Sequence, residues 1–210
     1  MPRKCLIITG GEKVLKDKIL SVIDSDTFII CADKGGETAV EYGLTPDILL
    51  GDFDSIDPEI FKNIAVNIME YPEDKDFTDT ELAISYALEK GFEEIILVNA
   101  TGDRIDHVFS TFMLLYKYKR DKITIIGNNF EAFIIYGDYE ISNMKGRTLS
   151  IIPVERELEG IYLEGFKFPL SNRTVSLGDS LCVSNIIIED EASISLKKGT
   201  AIVIITDLEE

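Results

Sequence analysis

At 210 residues, with 45% apolar and 28% charged side chains, the chain has the make-up of an ordinary globular protein, one large domain or two small ones. A net charge of −17 argues against a nucleic-acid partner or an anionic membrane surface, because phosphates are repelled where no basic stripe offsets them. Cys5, Cys31 and Cys182 are odd in number and widely spaced, and the apolar run after Met1-Pro2-Arg3-Lys4 stops at Ile8, too short for a signal peptide or membrane span. These features point to free thiols in a cytoplasmic protein, with neither a disulfide framework nor a zinc site.

Leu6-Ile7-Ile8 reads as a buried first strand closing on Thr9-Gly10-Gly11, a tight turn that lacks the full dinucleotide fingerprint. A helical pattern from Val14 to Ile23 leads to a second strand, Phe28 to Cys31. Asp33-Lys34-Gly35-Gly36 then opens a helix ending near Gly43, and such a helix start favours anions through its N–H groups and dipole. Asp33 itself suits a ribose hydroxyl or a helix cap. The third strand, Pro46 to Leu50, delivers Asp52 and Asp54 at its carboxyl end, where open α/β sheets carry their sites. They stand two apart, so an extended backbone sends both carboxylates to one side.

Ile64 to Met69 is a fourth short apolar run. Thr78 and Glu81 form a capping box, with Phe77 and Leu82 as its hydrophobic staple, on a helix that runs to Lys90 and stops at Gly91. Asp76 and Asp79, three apart, share a helical face. From Gly51 to Glu81 the chain carries ten acidic residues against Lys62 and Lys75. Taken singly, these motifs read as a solvated turn and a carboxylate complementing a helix dipole. Taken together they point to a Mg-nucleotide site, since Mg²⁺ is bound through a few carboxylates plus the phosphates of its substrate.

A fifth strand, Ile95 to Val98, precedes Thr101-Gly102-Asp103-Arg104-Ile105-Asp106-His107, which opens another helix. Helical spacing assigns Ile105, Val108, Phe109, Phe112 and Tyr116 to the core. Arg104 after a glycine turn suits phosphate oxygens or a local surface pair with an Asp, and His107, the single histidine, reads as structural. Ile123 to Ile126 completes a βα alternation that predicts a mostly parallel sheet flanked by helices. Beyond residue 128 helical periodicity stops. Short β-rich runs at 133–136, 148–154, 160–163, 181–188, 194–196 and 201–205, separated by glycine turns, predict an antiparallel β-sandwich or small barrel. The expected domains are therefore 1–130, α/β, and 131–210, all-β.

Gly51-Asp52-Phe53-Asp54-Ser55, Lys75-Asp76-x-Thr78-Asp79-x-Glu81 and Thr101-Gly102-x-Arg104-Ile105-Asp106-His107 resemble, in order, the motifs of the thiamin pyrophosphokinase family. Gly165-Phe166-Lys167-Phe168-Pro169-Leu170 and Ser184-Asn185 resemble that family's substrate-domain signature. The resemblance implies an α/β nucleotide domain joined to a β-sandwich, and transfer of diphosphate from ATP to the hydroxyl of thiamin, giving thiamin diphosphate and AMP. It implies a homodimer whose vitamin pocket lies between the first domain of one chain and the second of its partner. By motif, Asp52, Asp54 and Asp79 would hold Mg²⁺ with Asp76 close by. Arg104 would meet the ATP phosphates, with Lys75 sharing their charge, and Asp106 would lie at the catalytic site. Asp33, read from its own glycine turn and outside these motifs, is a further ATP candidate. Ser184 and Asn185 would face thiamin. Asp76 and Asp106 are alternative acceptors of the hydroxyl proton. Asp103 and Ile186 depart from the family pattern, which leaves open another heterocyclic alcohol, such as a hydroxymethyl-pterin, or a non-catalytic nucleotide-binding module.

Overall fold

The computed structural model describes residues 3–52, 67–72, 74 and 76–207. The chain divides into two compact units, Met1–Leu114 with Arg120–Asn128, and Leu115–Lys119 with Asn129–Glu210. In the first, the described strands are β1 (Lys4–Ile8), β2 (Phe28–Ala32), β3 (Ile48–Gly51), β4 (Asn67–Glu70), β5 (Glu94–Val98) and β6 (Lys122–Ile126). They pair in parallel in the order β6-β5-β1-β2-β3-β4. Helices α1 (Lys16–Val22), α2 (Gly35–Tyr42), α3 (Asp79–Glu89) and α4 (Ile105–Lys117) alternate with the strands. On one face Leu6, Ile8, Ile29, Cys31, Leu49, Ile96 and Val98 pack with Val14, Ile19 and Ala39. Side chains of the opposite register, Ile7, Ile30, Leu50, Ile95 and Leu97, are equally buried. A sheet buried on both faces needs near-continuous apolar strands, which is why these segments show no alternation.

The strand order sets the position of everything functional. From β1 the chain winds outward through β2 and β3 to β4, then returns by α3 to place β5 on the other side of β1. The loops leaving β1 and β5 therefore diverge and open a crevice at the carboxyl edge, the usual ligand position in such sheets.

Two expectations need correction here. Ile105 and Phe109 are not core: they are 71% and 67% exposed. The stripe of α4 that is buried passes instead through Thr111, Leu114 and Leu115. The helical period is right, but α4 is apolar on more than one side and the period alone does not choose which side packs. α1 is also shorter than the Val14–Ile23 pattern, because Val14 and Leu15 belong to the loop before it.

The second unit holds β7 (Phe130–Ile135), β8 (Tyr139–Ser142), β9 (Thr148–Pro153), β10 (Glu157–Glu164), β11 (Leu170–Ser176), β12 (Asn185–Ile186), β13 (Glu191–Ser195) and β14 (Ala201–Thr206). Two antiparallel layers, β12-β9-β14-β7 and β11-β10-β13-β8, face each other. Leu149 and Ile151 of β9, Val203 of β14, Ile161 and Leu163 of β10 and Ile194 of β13 interdigitate between them. The run 181–188 is not the long strand its apolar content suggests. Val183 N–H donates to the Ser180 carbonyl (3.1 Å) in a turn; Asn185–Ile186 pair with β9, and Ile187 makes an isolated bridge to Phe166. The sequence reading passes over β8 and β11; β11 has one buried residue, Val175, and so little apolar signal.

All three cysteines are free and buried. Burial raises each thiol, Cys5 to about 12 and Cys182 to about 11, which keeps them in the inert thiol form. Among the described residues no helix is long and apolar enough to cross a membrane.

Candidate active site

A cleft of about 1010 Å³ opens at the carboxyl ends of β1, β2 and β5. Thr9 to Glu12, Ala32 to Lys34, Thr78 to Thr80 and Asn99 to Ile105 line it, with His107, Val108 and Thr111. Its walls are turns that strands hand to helices, and two of them require glycine. A Cβ on Gly35 would lie 1.9 Å from the Ile8 carbonyl oxygen, and one on Gly11 2.2 Å from that of Thr101. Only a residue without a side chain lets the start of α2 press on β1 and the first loop press on the loop after β5.

Lys34 caps α2 at the cleft edge without a side-chain capping bond. Asp33 has φ +45°, takes its N–H to the Leu50 carbonyl (2.9 Å), and accepts the Gly36 N–H (3.0 Å). Its carboxylate lies against Gly51, where a Cβ would come within 1.8 Å of Oδ1. Gly51 thus leaves room for the Asp33 carboxylate immediately before Asp52, which itself lies outside the cleft lining. On α3, Thr78 Oγ accepts the Glu81 N–H (3.3 Å), which is the side-chain half of the capping box. That cap sets Asp79 in the first turn, facing the cleft. Asp76 is exposed and lies outside the lining, and Phe77, the staple residue, is half-exposed. Asp54 and Lys75 lie outside the described residues.

Arg104 and Asp106 form a two-pronged pair, with Nε to Oδ1 at 3.0 Å and Nη2 to Oδ2 at 2.7 Å. Both are well exposed. The hydrogen bonds from Arg104 hold the Asp106 carboxyl far below the usual carboxylate range and push the guanidinium up, so both stay charged. His107 Nε2 is 4.0 Å from Asp106 Oδ2, so it stands beside the pair.

Among the described residues the lining contains four acids, Glu12, Asp33, Asp79 and Asp103, and the fixed cations Lys34 and Arg104. Among the described residues no three acidic, His or Cys side chains converge closely enough to hold a metal ion. Asp52 and Asp79 offer oxygen donors alone, the chemistry that suits a hard cation such as Mg²⁺. Three contributors escape the sequence reading. Lys34 was readable as the one cation in a strand–glycine–helix turn. Asn99 and Thr9 carry no chemical motif, though Asn adopts the left-handed backbone seen at Asn99 (φ +58°) more readily than most residues.

In the second unit the two signature segments meet. Phe166 bridges Ile187, and Lys167 N–H donates to the Ile186 carbonyl (2.8 Å). Asn185 is buried; its Oδ1 accepts the Phe168 N–H (3.0 Å) and its Nδ2 donates to the Phe168 carbonyl (2.8 Å). Ser184 is exposed with φ +59°, and its N–H donates to Ser150 Oγ (3.0 Å). Phe168 is 58% exposed beside them.

A parallel sheet with a glycine-walled cleft at its switch point, followed by an antiparallel sandwich, defines a two-unit protein with an open α/β first unit and an all-β second. A family model described as the thiamin pyrophosphokinase catalytic domain matches residues 19–127, and one for the vitamin B1 binding domain matches 138–201. A thiamine pyrophosphokinase of Bacillus subtilis is 36% identical over 94% of this chain and 96% of its own. A crystal structure of thiamine pyrophosphokinase from Bacillus subtilis superposes with TM-score 0.89 at 32% identity, covering 98% of this chain and 100% of its own. One of thiamin pyrophosphokinase from Geobacillus thermodenitrificans gives 0.88 at 28% identity, with 98% of each chain covered. The chain belongs to the thiamin pyrophosphokinase family.

Proposed function

We propose that the chain transfers diphosphate from ATP to the hydroxyl of thiamin, giving thiamin diphosphate and AMP. The observation that carries this reading is the cleft at the β1/β5 switch point, with glycine turns on one side and Arg104 on the other. The glycine turns let a polyphosphate approach the backbone closely, while the N–H groups of Thr9, Gly11 and Glu12 are already bonded to the Val98, Asn99 and Thr101 carbonyls. The planar fork of Arg104 suits the phosphate oxygens. The Arg104–Asp106 pair is exposed and local, so an arriving phosphate exchanges for Asp106 at little cost. Asp106 aims Arg104 in the absence of nucleotide, and once phosphate takes the guanidinium its carboxylate is released to accept the hydroxyl proton, with Asp76 the alternative acceptor. Asp33 is assigned to the nucleoside and Lys34, with Lys75, to the phosphates.

Among the described lining residues four acids face two cations, a balance that would repel a polyphosphate arriving without counterions. This supports Mg-ATP as the form bound, with Asp52, Asp54 and Asp79 as metal ligands and Asp76 nearby. When bound, Mg²⁺ neutralises charge on the phosphate oxygens. The chain's own residues position the nucleotide and bring the alcohol in line with its β-phosphorus. In the second unit, Phe168 offers an exposed ring for the pyrimidine, next to Ser184 and the Asn185 amide that fixes the Phe168 backbone. The cationic thiazolium is favoured by a chain of net charge −17. The exposed Ile105 and Phe109, four apart on α4, support a homodimer, and the three free thiols support a cytoplasmic setting.

Incubation with Mg-ATP and thiamin should yield AMP and thiamin diphosphate in equal amounts. Formation of ADP, or no nucleotide product, would remove the reading. Asp54→Asn should lower turnover roughly a thousandfold or more with an unchanged melting temperature, as expected for a group that counters charge in the transition state. Wild-type rates in that variant would remove the metal assignment.

A further inference from the structure

The loop between β1 and α1, Thr9 to Leu15, is tied down at almost every residue, and three of the ties, from Thr9, Gly11 and Val14, go to Asn99. The Thr9 N–H and hydroxyl both donate to the Val98 carbonyl (3.1 and 3.2 Å), and the hydroxyl also donates to the Asn99 carbonyl (2.5 Å). The Gly11 N–H donates to the same Asn99 oxygen (2.9 Å). The Asn99 side chain then reaches further along the loop, its Oδ1 accepting the Val14 N–H (2.8 Å) and its Nδ2 donating to Thr38 Oγ of α2 (3.1 Å). Asn99 is 1% exposed and has φ +58°, a backbone that Asn tolerates better than most residues. One side chain thus joins three parts of the cleft: the turn after β1, the helix after β2 and the turn after β5.

We propose that Asn99 is the positioning residue of this cleft, its side chain holding the loop that follows Gly10–Gly11 against α2 before nucleotide arrives and so setting the affinity for ATP. The proposal rests on the reading of the cleft as the ATP site. Its physical basis is preorganisation. A loop that samples several shapes binds only from the competent one, and apparent affinity falls by the competent fraction. Asn99 does this through hydrogen bonds to the loop and to α2, with both named polar atoms already engaged within the protein. The hydroxyl of Thr38, which lies outside the cleft lining, belongs to the same device.

The test uses the full-length protein with Mg-ATP and thiamin, and a non-hydrolysable ATP analogue titrated by calorimetry. Asn99→Gly keeps the left-handed backbone without strain and deletes both side-chain bonds. It should raise the KM for ATP and weaken the analogue about tenfold, the effect of a competent fraction falling to a tenth, with the KM for thiamin and kcat changed less than twofold. Thr38→Val, of nearly the same shape, should move the KM for ATP in the same direction, and Thr38→Ser should restore it. The double variant should be no weaker than Asn99→Gly alone, because the two residues act as one unit. Unchanged ATP affinity in both Asn99→Gly and Thr38→Val, with only a lower melting temperature, overturns the proposal. Equal losses for ATP and thiamin overturn it as well. An unmutated protein that fails to bind the analogue overturns the ATP reading itself, which tells the two failures apart.

Discussion

The two flanks of the cleft are built to different standards. On the β1 side, the backbone from Thr9 to Leu15 is fixed by buried bonds to Asn99 and Val98, and by Asn128, whose amide oxygen accepts the Leu15 N–H (2.8 Å) and whose Nδ2 donates to the Lys13 carbonyl (3.1 Å). On the α4 side, the turn carrying Arg104 has an exposed ion pair between residues two apart and little else from side chains. The first flank gives shape and the second gives charge that can change partner. The difference separates what must be rigid before binding from what must respond to it.

The comparison breaks most visibly at Arg104. Arg104→Ala should lower kcat/KM for ATP roughly a hundredfold, as loss of one preorganised electrostatic contact does, while leaving the melting temperature near wild type. A comparable loss of stability would mean that the exposed pair is structural. On the rigid flank the signature is reversed. Gly11→Ala sets a methyl 2.2 Å from Thr101 O and 2.3 Å from Asn99 O. Backbone atoms have little room to give, so denaturant unfolding should show a loss of about 1–3 kcal/mol from overpacking together with weaker ATP binding. Unchanged stability would show the wall to be pliable.

Thr78→Ala tests the third edge of the cleft. Removing the cap on Glu81 N–H should cost about 1 kcal/mol, read from chemical denaturation, and should disturb activity less than the loss of Arg104 does. The smallest effect concerns a second carboxylate pair, in the other unit. Glu155 Oε1 accepts from Lys119 Nζ (2.7 Å), Thr200 Oγ (2.9 Å) and Tyr116 OH (3.2 Å), and the Lys119 bond chiefly depresses its pKa. A depressed carboxylate stabilises the fold above its unfolded pKa, about 4.3, and that contribution is lost as pH falls through the lower folded value. Melting temperature against pH should therefore fall less steeply below about pH 4.3 in Glu155→Gln than in the wild type. An identical acid limb would show that Glu155 contributes nothing to it.

What the sequence discloses follows the same division. Parallel strands such as Leu6–Ile8 and Ile95–Val98 are legible because burial on both faces leaves an unbroken apolar run. The Thr78 cap and the Thr101–His107 turn are legible because their residue types have few other uses at those spacings. Asn99 is silent, since its importance comes from Gly11, Val14 and Thr38, which reach it only through the fold. Asn185 is half legible: the motif marks it, but its amide is bonded to the Phe168 backbone. The misassigned Ile105 and Phe109 show the limit of periodicity. It finds a helix, and tertiary packing then decides which apolar stripe is covered.

Backbone amide NMR of the protein titrated with a non-hydrolysable Mg-ATP analogue tests the central assignment most directly. The resonances of Gly10, Gly11, Lys34, Thr101 and Gly102 should shift together and saturate at one stoichiometric equivalent, while those of β10 and β13 stay in place. Saturable shifts confined to residues outside the β1/β5 crevice, with these five unmoved, would contradict it.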